Sequence, residues 1–283
     1  MSIKKERGII KKITHDVHIH TSLSSCADRA ATFQGHVERA KNSNLKVLGF
    51  ADHLWDSAIP GASKWYEQQN VEHVLQLKKE LPESMEMDGI KLLFGCETEF
   101  IYGGKLCLAE ENFEHFDFVL VPHSHNHMKF VAPPERIKDY KSHAELLMES
   151  FMLLVTHPLA NRMMSVAHPF VAGTSHSIYN DVQAYIPDSY LYEAFSAAKE
   201  SGIAIEMNGS CLVYMPSEQI PTCEDVRIYS IAKECGCRFT YGSDSHHFTN
   251  ERKIEEVEKF FDICGITEAD LLTVDEILAR NKR

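Results

Sequence analysis

The feature that most constrains this chain is a series of short apolar runs, nearly all of which end in a histidine or an acidic residue. Seven such runs alternate with amphipathic helical stretches between about residues 13 and 250. This alternation predicts parallel strands, because parallel neighbours need a long crossover connection and a helix usually supplies it. The polar residues at the strand ends are His18 and His20, His53, Glu97, His125, His168, and Asp244 with His246.

The position of these polar residues distinguishes two possible α/β architectures. In a β/α barrel the C-terminal ends of all strands converge on one face, which carries the active site. An open, doubly wound sheet would spread the same groups along an edge, so that only a few could meet. Because such residues follow nearly every strand, we predict a closed or nearly closed barrel of seven strands.

The first strand carries a possible pair of metal ligands. In residues 15–21, Val17 and Ile19 alternate with His18 and His20, which is strand periodicity. Two imidazoles on one strand face can reach the same metal ion. The pair alone is equally typical of a half-buried edge strand with two exposed histidines, so the interpretation depends on the later motifs.

Composition narrows the possible partners and compartment. The chain has 29 Lys and Arg against 41 Asp and Glu, a net charge of −12, which argues against nucleic-acid binding by a general basic surface. No apolar run has the length of a membrane span, and the lysine-rich N-terminus lacks the apolar core of a signal peptide. The eight scattered cysteines are typical of reduced thiols. We therefore expect a cytoplasmic protein with no membrane partner.

No internal repeat or linker marks a second domain. We expect residues 1–283 to form a single barrel domain, with the last helices, about residues 251–283, packing on its outside. These helices are predicted near Glu251 to Cys264 and Leu271 to Arg280.

Six segments, in order, resemble the motifs of the polymerase and histidinol phosphatase (PHP) family. They are Asp16-x-His18-x-His20-Thr21, Asp52-His53, Gly95-x-Glu97, the His125 region, Ala167-His168-Pro169 and Gly242-Ser243-Asp244-Ser245-His246. The resemblance covers about residues 13–250 and implies a distorted (β/α)7 barrel with the metal site at the strand C-termini. It also implies two or three divalent ions, usually zinc, manganese or iron. Members hydrolyse phosphate esters, and some are attached to bacterial DNA polymerases.

The resemblance implies a set of metal ligands, with Glu97 and Asp244 as bridges between ions. Imidazoles and carboxylates suit zinc, iron and manganese. Of these residues, Asp244, His246 and His53 are also expected to act in catalysis. The implied ligands are His18, His20, His53, Glu97, His125, His168, Asp244 and His246.

Two positions leave the ligand set open. Many family members carry another ligand six residues after His20, where this chain has Cys26, with Asp28 close behind. A Cys26 thiolate would suit zinc and Asp28 would suit manganese or iron, and the third alternative is that neither binds. The second position is the end of the fourth strand, where His125 is favoured as the ligand over His123.

Several other residues are candidates for the surroundings of the site. Arg29 follows the first site loop and is a candidate for the phosphate-binding cation. His127 either approaches the substrate or lies in solvent. Glu206 and Asn208 are expected to orient ligand histidines, and Asp52 to be structural. For Trp55, Trp65 and Tyr66, which flank the loop after the second strand, ordinary packing is favoured over a role as a pocket wall.

The resemblance implies hydrolysis of a small phosphate monoester, such as histidinol phosphate, by a metal-bridging hydroxide. The expected partner is therefore a small phosphorylated substrate. One alternative is a metal hydrolase of the amidohydrolase type, which also begins with HxH on a barrel strand and often uses a carbamylated lysine as bridge. The other is a non-catalytic or polymerase-accessory metal-binding module.

Overall fold

A computed structural model of the protein describes residues 13–172, 178–213, 215–247 and 254–280. Within these ranges, seven strands of the main sheet alternate with helices. The strands are β1 His15–Ile19, β2 Val47–Leu54, β3 Ile90–Thr98, β4 Phe118–Pro122, β5 Ser165–Ala167, β6 Ala204–Asn208 and β7 Phe239–Gly242. The helices are α1 Phe33–Ala40, α2 Val71–Glu80, α3 Tyr140–Val155, α4 Tyr179–Gln183, α5 Asp188–Ser201, α6 Ser210–Val213, α7 Glu224–Glu234, α8 Ile254–Ile263 and α9 Val274–Arg280.

The seven strands pair in parallel in chain order, from β1 to β7. The sheet closes where the end of β1 meets the segment after β7, since Ile19 forms a parallel bridge with Ser245. Here the Asp244 N–H donates to the His18 carbonyl over 2.8 Å, and the His20 N–H donates to the Ser245 carbonyl over 3.1 Å. The predicted seven-stranded barrel is therefore confirmed.

Several short elements were not predicted. Glu86–Met87 pairs antiparallel with the start of β3, and Phe100–Ile101 forms a hairpin with Lys105–Leu106. The short helices α4 and α6 are also additions. The first strand differs from the half-buried edge strand considered above, because all five of its residues are buried and its register shifts between Asp16 and Ile19.

The interior of the barrel is filled by a ring of apolar side chains below the strand C-termini. Phe118 lies across Gly95, where an added Cβ would come within 2.4 Å of the phenyl ring. The glycine of the Gly95-x-Glu97 motif therefore leaves space for Phe118 directly beneath Glu97. The buried members of this cluster are Val17, Val47, Ala51, Leu93, Phe118, Leu120, Met164, Ala167, Ala204, Leu272 and Ile277.

The last two helices have different positions. Val257, Phe260 and Phe261 of α8 are buried in the outer apolar layer between strands and helices, as expected for packing on the outside. Leu272 and Ile277 belong instead to the interior cluster, and Leu271 bridges to Phe239 at the start of β7. Helix α9 therefore covers the N-terminal end of the barrel, opposite the strand ends that carry the polar motifs. The predicted first turn of α8, residues 251–253, lies outside the described ranges.

No helix in the described part of the chain is long and apolar enough to cross a membrane.

Candidate metal centre

The strand-end motifs meet above the Phe118 layer in three groups of potential ligand atoms, two of which share a residue. Within each group the ligand atoms lie within 4.8 Å of one another. His20 is shared by the first two groups. The groups are His18, His20 and Asp244; His20, His53 and His246; and Glu97, His125 and His168.

Glu97 lies between these groups. Its Oε1 is 3.1 Å from Nε2 of His168 and 3.5 Å from Nε2 of His18. Its Oε2 is 2.9 Å from Nδ1 of His53 and 3.6 Å from Nε2 of His20. A carboxylate with one oxygen toward each pair of imidazoles has the geometry of a bridge between two ions.

Asp244 has a similar position on the other side of the first strand. Its Oδ1 is 3.2 Å from Nε2 of His20, 3.6 Å from Nε2 of His18 and 3.4 Å from Nδ1 of His246. With 17% of its side chain exposed, it borders solvent more than Glu97, which is 1% exposed.

Two buried polar atoms at the centre, Nδ1 of His53 and Oε2 of Glu97, face each other at 2.9 Å as an ion pair that lacks hydrogen-bond geometry. An imidazole nitrogen and a carboxylate oxygen placed in this way are each directed as a metal ligand would be. The Nε2 atoms of His18 and His20 likewise face each other at 3.1 Å. Nitrogen and oxygen donors in this arrangement suit a divalent transition ion.

In His18, His20, His125 and His168 the ring nitrogen that points away from the centre is held by a protein group. Nδ1 of His18 lies 2.7 Å from Oε1 of Glu206, and Nδ1 of His125 lies 2.7 Å from Oε1 of Glu99. These carboxylates accept the Nδ1 proton and so leave the Nε2 lone pair directed at the centre.

A serine has the same role beside His20. Ser24 donates its hydroxyl proton to Asp52 over 2.7 Å, so the Nδ1–H of His20 donates to Ser24 Oγ over 3.1 Å. Asp52 also accepts from the Thr21 N–H and hydroxyl, each over 2.7 Å. Asp52 thus fixes the first loop by hydrogen bonds. It is connected to His20 through the hydroxyl of Ser24. Ser124 lies 2.9 Å from Nδ1 of His168 in the corresponding position.

Glu206 connects two of the groups. Its Oε2 accepts from the backbone N–H of His168 and from Nδ2 of Asn208, each over 2.9 Å. Gly242 permits this close packing, because a Cβ there would lie 2.3 Å from Oε1 of Glu206 and 2.4 Å from Cβ of His18. The orienting position predicted for Glu206 and Asn208 is therefore where these residues lie.

The charges of the cluster are strongly coupled. Burial disfavours charge on His18, but the carboxylates of Glu206, Glu97 and Asp244 outweigh burial and raise its pKa well above the usual value. Burial also opposes the ionised form of Glu97, but His18 and His53 outweigh it and hold the pKa of the carboxyl well below its usual value. A divalent cation placed among these groups would therefore compete with protons.

Backbone strain occurs at two residues of the cluster. His168 has φ of 30° and Asp244 has φ of 54°, in the left-handed region that non-glycine residues rarely adopt. Such strain is concentrated at functional sites, where the surrounding structure holds it in place.

The two histidines considered for the fourth strand end have different environments. His125 joins Glu97 and His168, whereas His123 is fully buried against the rings of Phe151 and Phe170. Nε2 of His123 accepts from the Phe170 N–H over 2.9 Å, and burial lowers the pKa of His123 to about 3. His123 is thus a neutral packing residue, and the preferred alternative, His125, is the one at the site.

Cys26 and Asp28 also differ in position. Desolvation opposes the thiolate of Cys26, but hydrogen bonds with His246 and His53 outweigh it and lower the pKa of the thiol to about 6. Asp28 is exposed and accepts from the Ala30 N–H over 2.9 Å. Cys26 therefore lies beside two members of one histidine group, and Asp28 caps the loop behind it.

A cavity of about 440 Å³ opens beside the cluster. One side is formed by cluster residues and the other by side chains from the loops after β2 and β4. Its lining residues are Cys26, His53, Trp65, Tyr66, Glu97, His125, His127, Met128, Asp244 and His246.

The remaining candidates lie in and around this cavity. His127 is exposed and lines it, whereas Arg29 is exposed and does not. Trp55 is buried as packing, in agreement with the favoured prediction. Tyr66 is also buried in packing with Trp55, as favoured, although one side of it borders the cavity. For the more exposed Trp65 the less favoured alternative holds, because it lines the cavity. Its role was not visible from the sequence, since loop aromatics have no local periodicity that distinguishes a wall from a core.

The fold and the site together define the class of this protein. It is a seven-stranded β/α barrel whose strand C-termini carry histidine and carboxylate clusters suited to metal binding. The family model of the PHP domain matches residues 16–210, and the chain belongs to this family. The sequence is 24% identical to a probable phosphatase of Clostridium novyi over 267 residues, covering 94% of this chain and 92% of that protein. It is 26% identical to a probable phosphatase of a Thermoanaerobacter species over 279 residues, covering 96% of this chain and 97% of that protein.

A solved structure has the same fold. The histidinol phosphate phosphatase of Lactococcus lactis, determined with zinc, L-histidinol and phosphate, superposes with a TM-score of 0.61. The two chains are 18% identical, and the match covers 89% of this chain and 94% of that one.

Proposed function

We propose that this protein is a metal-dependent phosphoesterase that hydrolyses a small phosphate monoester, similar to a histidinol phosphatase. The observation that carries this proposal is the shared carboxylate of Glu97, which faces two imidazole pairs at the edge of a ligand-sized cavity. A site built to hold adjacent ions with one open side suits the phosphoryl group of a small ester. Family membership and the names of the relatives support the same reaction class.

The proposed ligands are those of the three groups, with Cys26 added beside His53 and His246. They would hold two or three ions of zinc, manganese or iron. When bound, such ions would supply Lewis acidity toward the phosphoryl oxygens and would lower the pKa of water, which is the chemistry that the expected hydroxide mechanism needs. Glu97 and Asp244 are the proposed bridges.

The other proposed roles belong to side chains that face the cavity. Asp244, His246 and His53 line it, so we propose that they act in catalysis by holding the ions where the phosphoryl group would bind. Glu206, Glu99 and Ser24 hold Nδ1 of His18, His125 and His20 and so leave Nε2 as the nitrogen available to an ion. His127, at the rim, is the proposed substrate contact. Arg29 is not retained as the phosphate-binding cation, because it does not line the cavity.

Two observations bear on the alternatives. A carbamylated lysine bridge of the amidohydrolase type needs a lysine at the centre, and none is found among the described lining residues, where Glu97 has the bridging position. The ligand groups and their supporting hydrogen bonds are complete in the described chain, which favours catalysis over a non-catalytic module.

An activity screen tests the proposed function. Protein reconstituted with Zn, Mn or Fe is assayed on phosphomonoesters, including histidinol phosphate, and on phosphodiesters and amides. The proposal expects phosphomonoester turnover that is lost in Glu97→Ala and retained in Glu83→Ala, an exposed control. Turnover of amides alone would favour the amidohydrolase alternative. Absence of turnover on all three classes with any metal would favour a binding module.

A further inference from the structure

The cavity has an apolar wall opposite the metal-binding cluster. We propose that the alcohol released by this enzyme is uncharged and carries an aromatic or bulky apolar group that packs against Trp65. This inference rests on the proposed phosphomonoesterase function. It concerns the leaving group, which neither the strand-end motifs nor the family membership specifies. It separates this enzyme from a histidinol phosphatase in the strict sense, because histidinol carries an ammonium group.

Trp65 is available for a ligand. Its side chain is 37% exposed at the cavity, and its ring centroid lies 5.4 Å from that of His53 in an edge-to-face arrangement. The neighbouring apolar cluster consists of buried Trp55, Tyr66 and Cys107 with partly buried side chains, and Trp65 is not part of it. An exposed indole beside a site supplies a large apolar surface for recognition.

The indole is held in a defined position. Its ring lies perpendicular to the buried ring of Tyr66, with centroids 4.6 Å apart. The Tyr66 hydroxyl donates to Glu99, so the Tyr66 ring is itself fixed to the carboxylate that orients His125. Gln69 donates to the Trp65 carbonyl over 3.0 Å and accepts from the Ser25 N–H over 2.9 Å. The wall is therefore connected to the first metal-site loop.

Met128 extends the same wall. Its N–H donates to the His125 carbonyl over 2.9 Å, which fixes the start of the loop after β4. The thioether is polarizable and flexible, so it adapts to aromatic groups of different shape. Together with Trp65 and Tyr66 it makes the side of the cavity away from the ligands apolar.

The charges around the cavity argue against a cationic alcohol. Among the described lining residues the carboxylates are Glu97 and Asp244, and both belong to the ligand groups. An ammonium on the leaving group would lie close to bound divalent cations without a carboxylate of its own. No lysine or arginine is among these lining residues either, so a second anionic group on the alcohol would also lack a partner.

Matched substrates test the inference. The metal-loaded enzyme is assayed on 3-phenylpropyl phosphate, n-propyl phosphate and 2-amino-3-phenylpropyl phosphate. The last differs from the first by one ammonium group. We expect kcat/KM for 3-phenylpropyl phosphate to exceed that for each of the others at least about tenfold. Calorimetric binding of the corresponding phosphonates, which are not hydrolysed, should follow the same order.

Variants of Trp65 test whether the apolar wall causes the preference for the phenylpropyl ester. Trp65→Ala should lower the ratio of kcat/KM between the phenylpropyl and propyl esters at least about fivefold, and Trp65→Phe should restore part of it. Tyr185→Ala removes an aromatic side chain that is 52% exposed and does not line the cavity, so it should leave the ratio unchanged. Thermal unfolding of each variant checks that the fold is retained.

The outcomes separate this inference from the proposed function. If no phosphomonoester is hydrolysed, the proposed function is wrong. If all three are hydrolysed but the amino ester is preferred, or the ratio is the same in Trp65→Ala, the proposed function stands and this inference is overturned.

Discussion

Nδ1 of His18 and Oε1 of Glu206 lie 2.7 Å apart, although 188 residues separate them in the chain. Both side chains are fully buried, and Gly242 is packed against them. The contact joins the first barrel strand to the sixth and fixes the ring of a proposed ligand. Substitution of Glu206 therefore tests whether this carboxylate orients His18.

Glu206→Gln should weaken metal binding about 10- to 100-fold while leaving the fold intact. Glutamine has one acceptor oxygen where Glu206 uses two, one toward His18 and one toward the His168 N–H and Asn208. A competition titration with a metal-binding dye measures the dissociation constants. Glu258→Gln, a substitution at another buried glutamate, outside the cluster, serves as the matched control. An unchanged affinity in Glu206→Gln would show that the contact does not support a ligand.

Protein purified without chelator should contain at least two equivalents of transition metal. Three groups of ligand atoms, with the Glu97 carboxylate close to members of the other two, offer too many ligand atoms for one ion. Elemental analysis gives the stoichiometry, before and after addition of Mn or Zn. One equivalent or less, not raised by added metal, would contradict a multinuclear site.

His18→Ala, Glu97→Ala and Asp244→Ala should each abolish phosphatase activity and leave the far-ultraviolet circular dichroism spectrum nearly unchanged. These residues lie above the Phe118 layer, so the apolar interior does not depend on them. Steady-state kinetics at saturating metal provides the measurement. If Asp244→Ala kept more than a tenth of wild-type turnover, its assignment as a ligand would be wrong.

Cys26→Ser should lower the affinity for one ion and shift the metal preference away from zinc, because a hydroxyl is a harder and weaker donor than a thiolate. Asp28→Asn should be nearly silent, since Asp28 is exposed and caps the Ala30 N–H. Metal titrations of both variants beside the wild type distinguish them. Equal stoichiometry and affinity in all three would remove this loop from the ligand set.

Asp225→Asn should stabilise the protein at pH 8. Burial raises the pKa of Asp225 from 3.8 to about 6, although the hydrogen bond from Gln183, 2.7 Å long, opposes the shift. The folded state thus holds a proton that the unfolded chain releases near pH 4, and stability falls as pH rises from about 4 through 6. The full loss is about 3 kcal/mol above pH 6.

Asparagine carries no charge, so the gain in Asp225→Asn should be largest at pH 8 and should disappear near pH 4. Urea unfolding at both pH values measures it. Asp262→Asn on α8 provides a comparison at an exposed aspartate. A variant less stable than wild type at pH 8 would show that the folded protein favours the ionised carboxylate, so that burial does not raise the pKa of Asp225.

Much of the site could be predicted from the order of the strand-end motifs. Strand periodicity predicts which residues end a strand, and a barrel brings all such ends to one face. His18, His53 and Glu97 follow from this alone, and His53 and Glu97 are indeed paired in register on β2 and β3. Glu99 could also have been found, because it lies just past the end of β3 and two residues beyond Glu97, which is the spacing of one strand face.

Other features of the site could not be predicted from any local pattern in the sequence. Ser24 and Ser124 act through hydroxyls in loops, where no periodicity marks a functional residue. The difference between His123 and His125 depends on whether the ring meets Phe151 and Phe170 or the Glu97 cluster. Neighbouring strands and helices determine that choice.

The sequence by itself determined the strand–helix alternation, the barrel and the residue types at its C-terminal face, because these depend on periodicity over a few residues. The tertiary structure decided which oxygen faces which imidazole, that Cys26 lies beside His53 and His246, and that Trp65 walls the cavity. Those contacts join loops far apart in the chain. Their geometry is set by strand register and side-chain packing across the closed barrel, which no local pattern encodes.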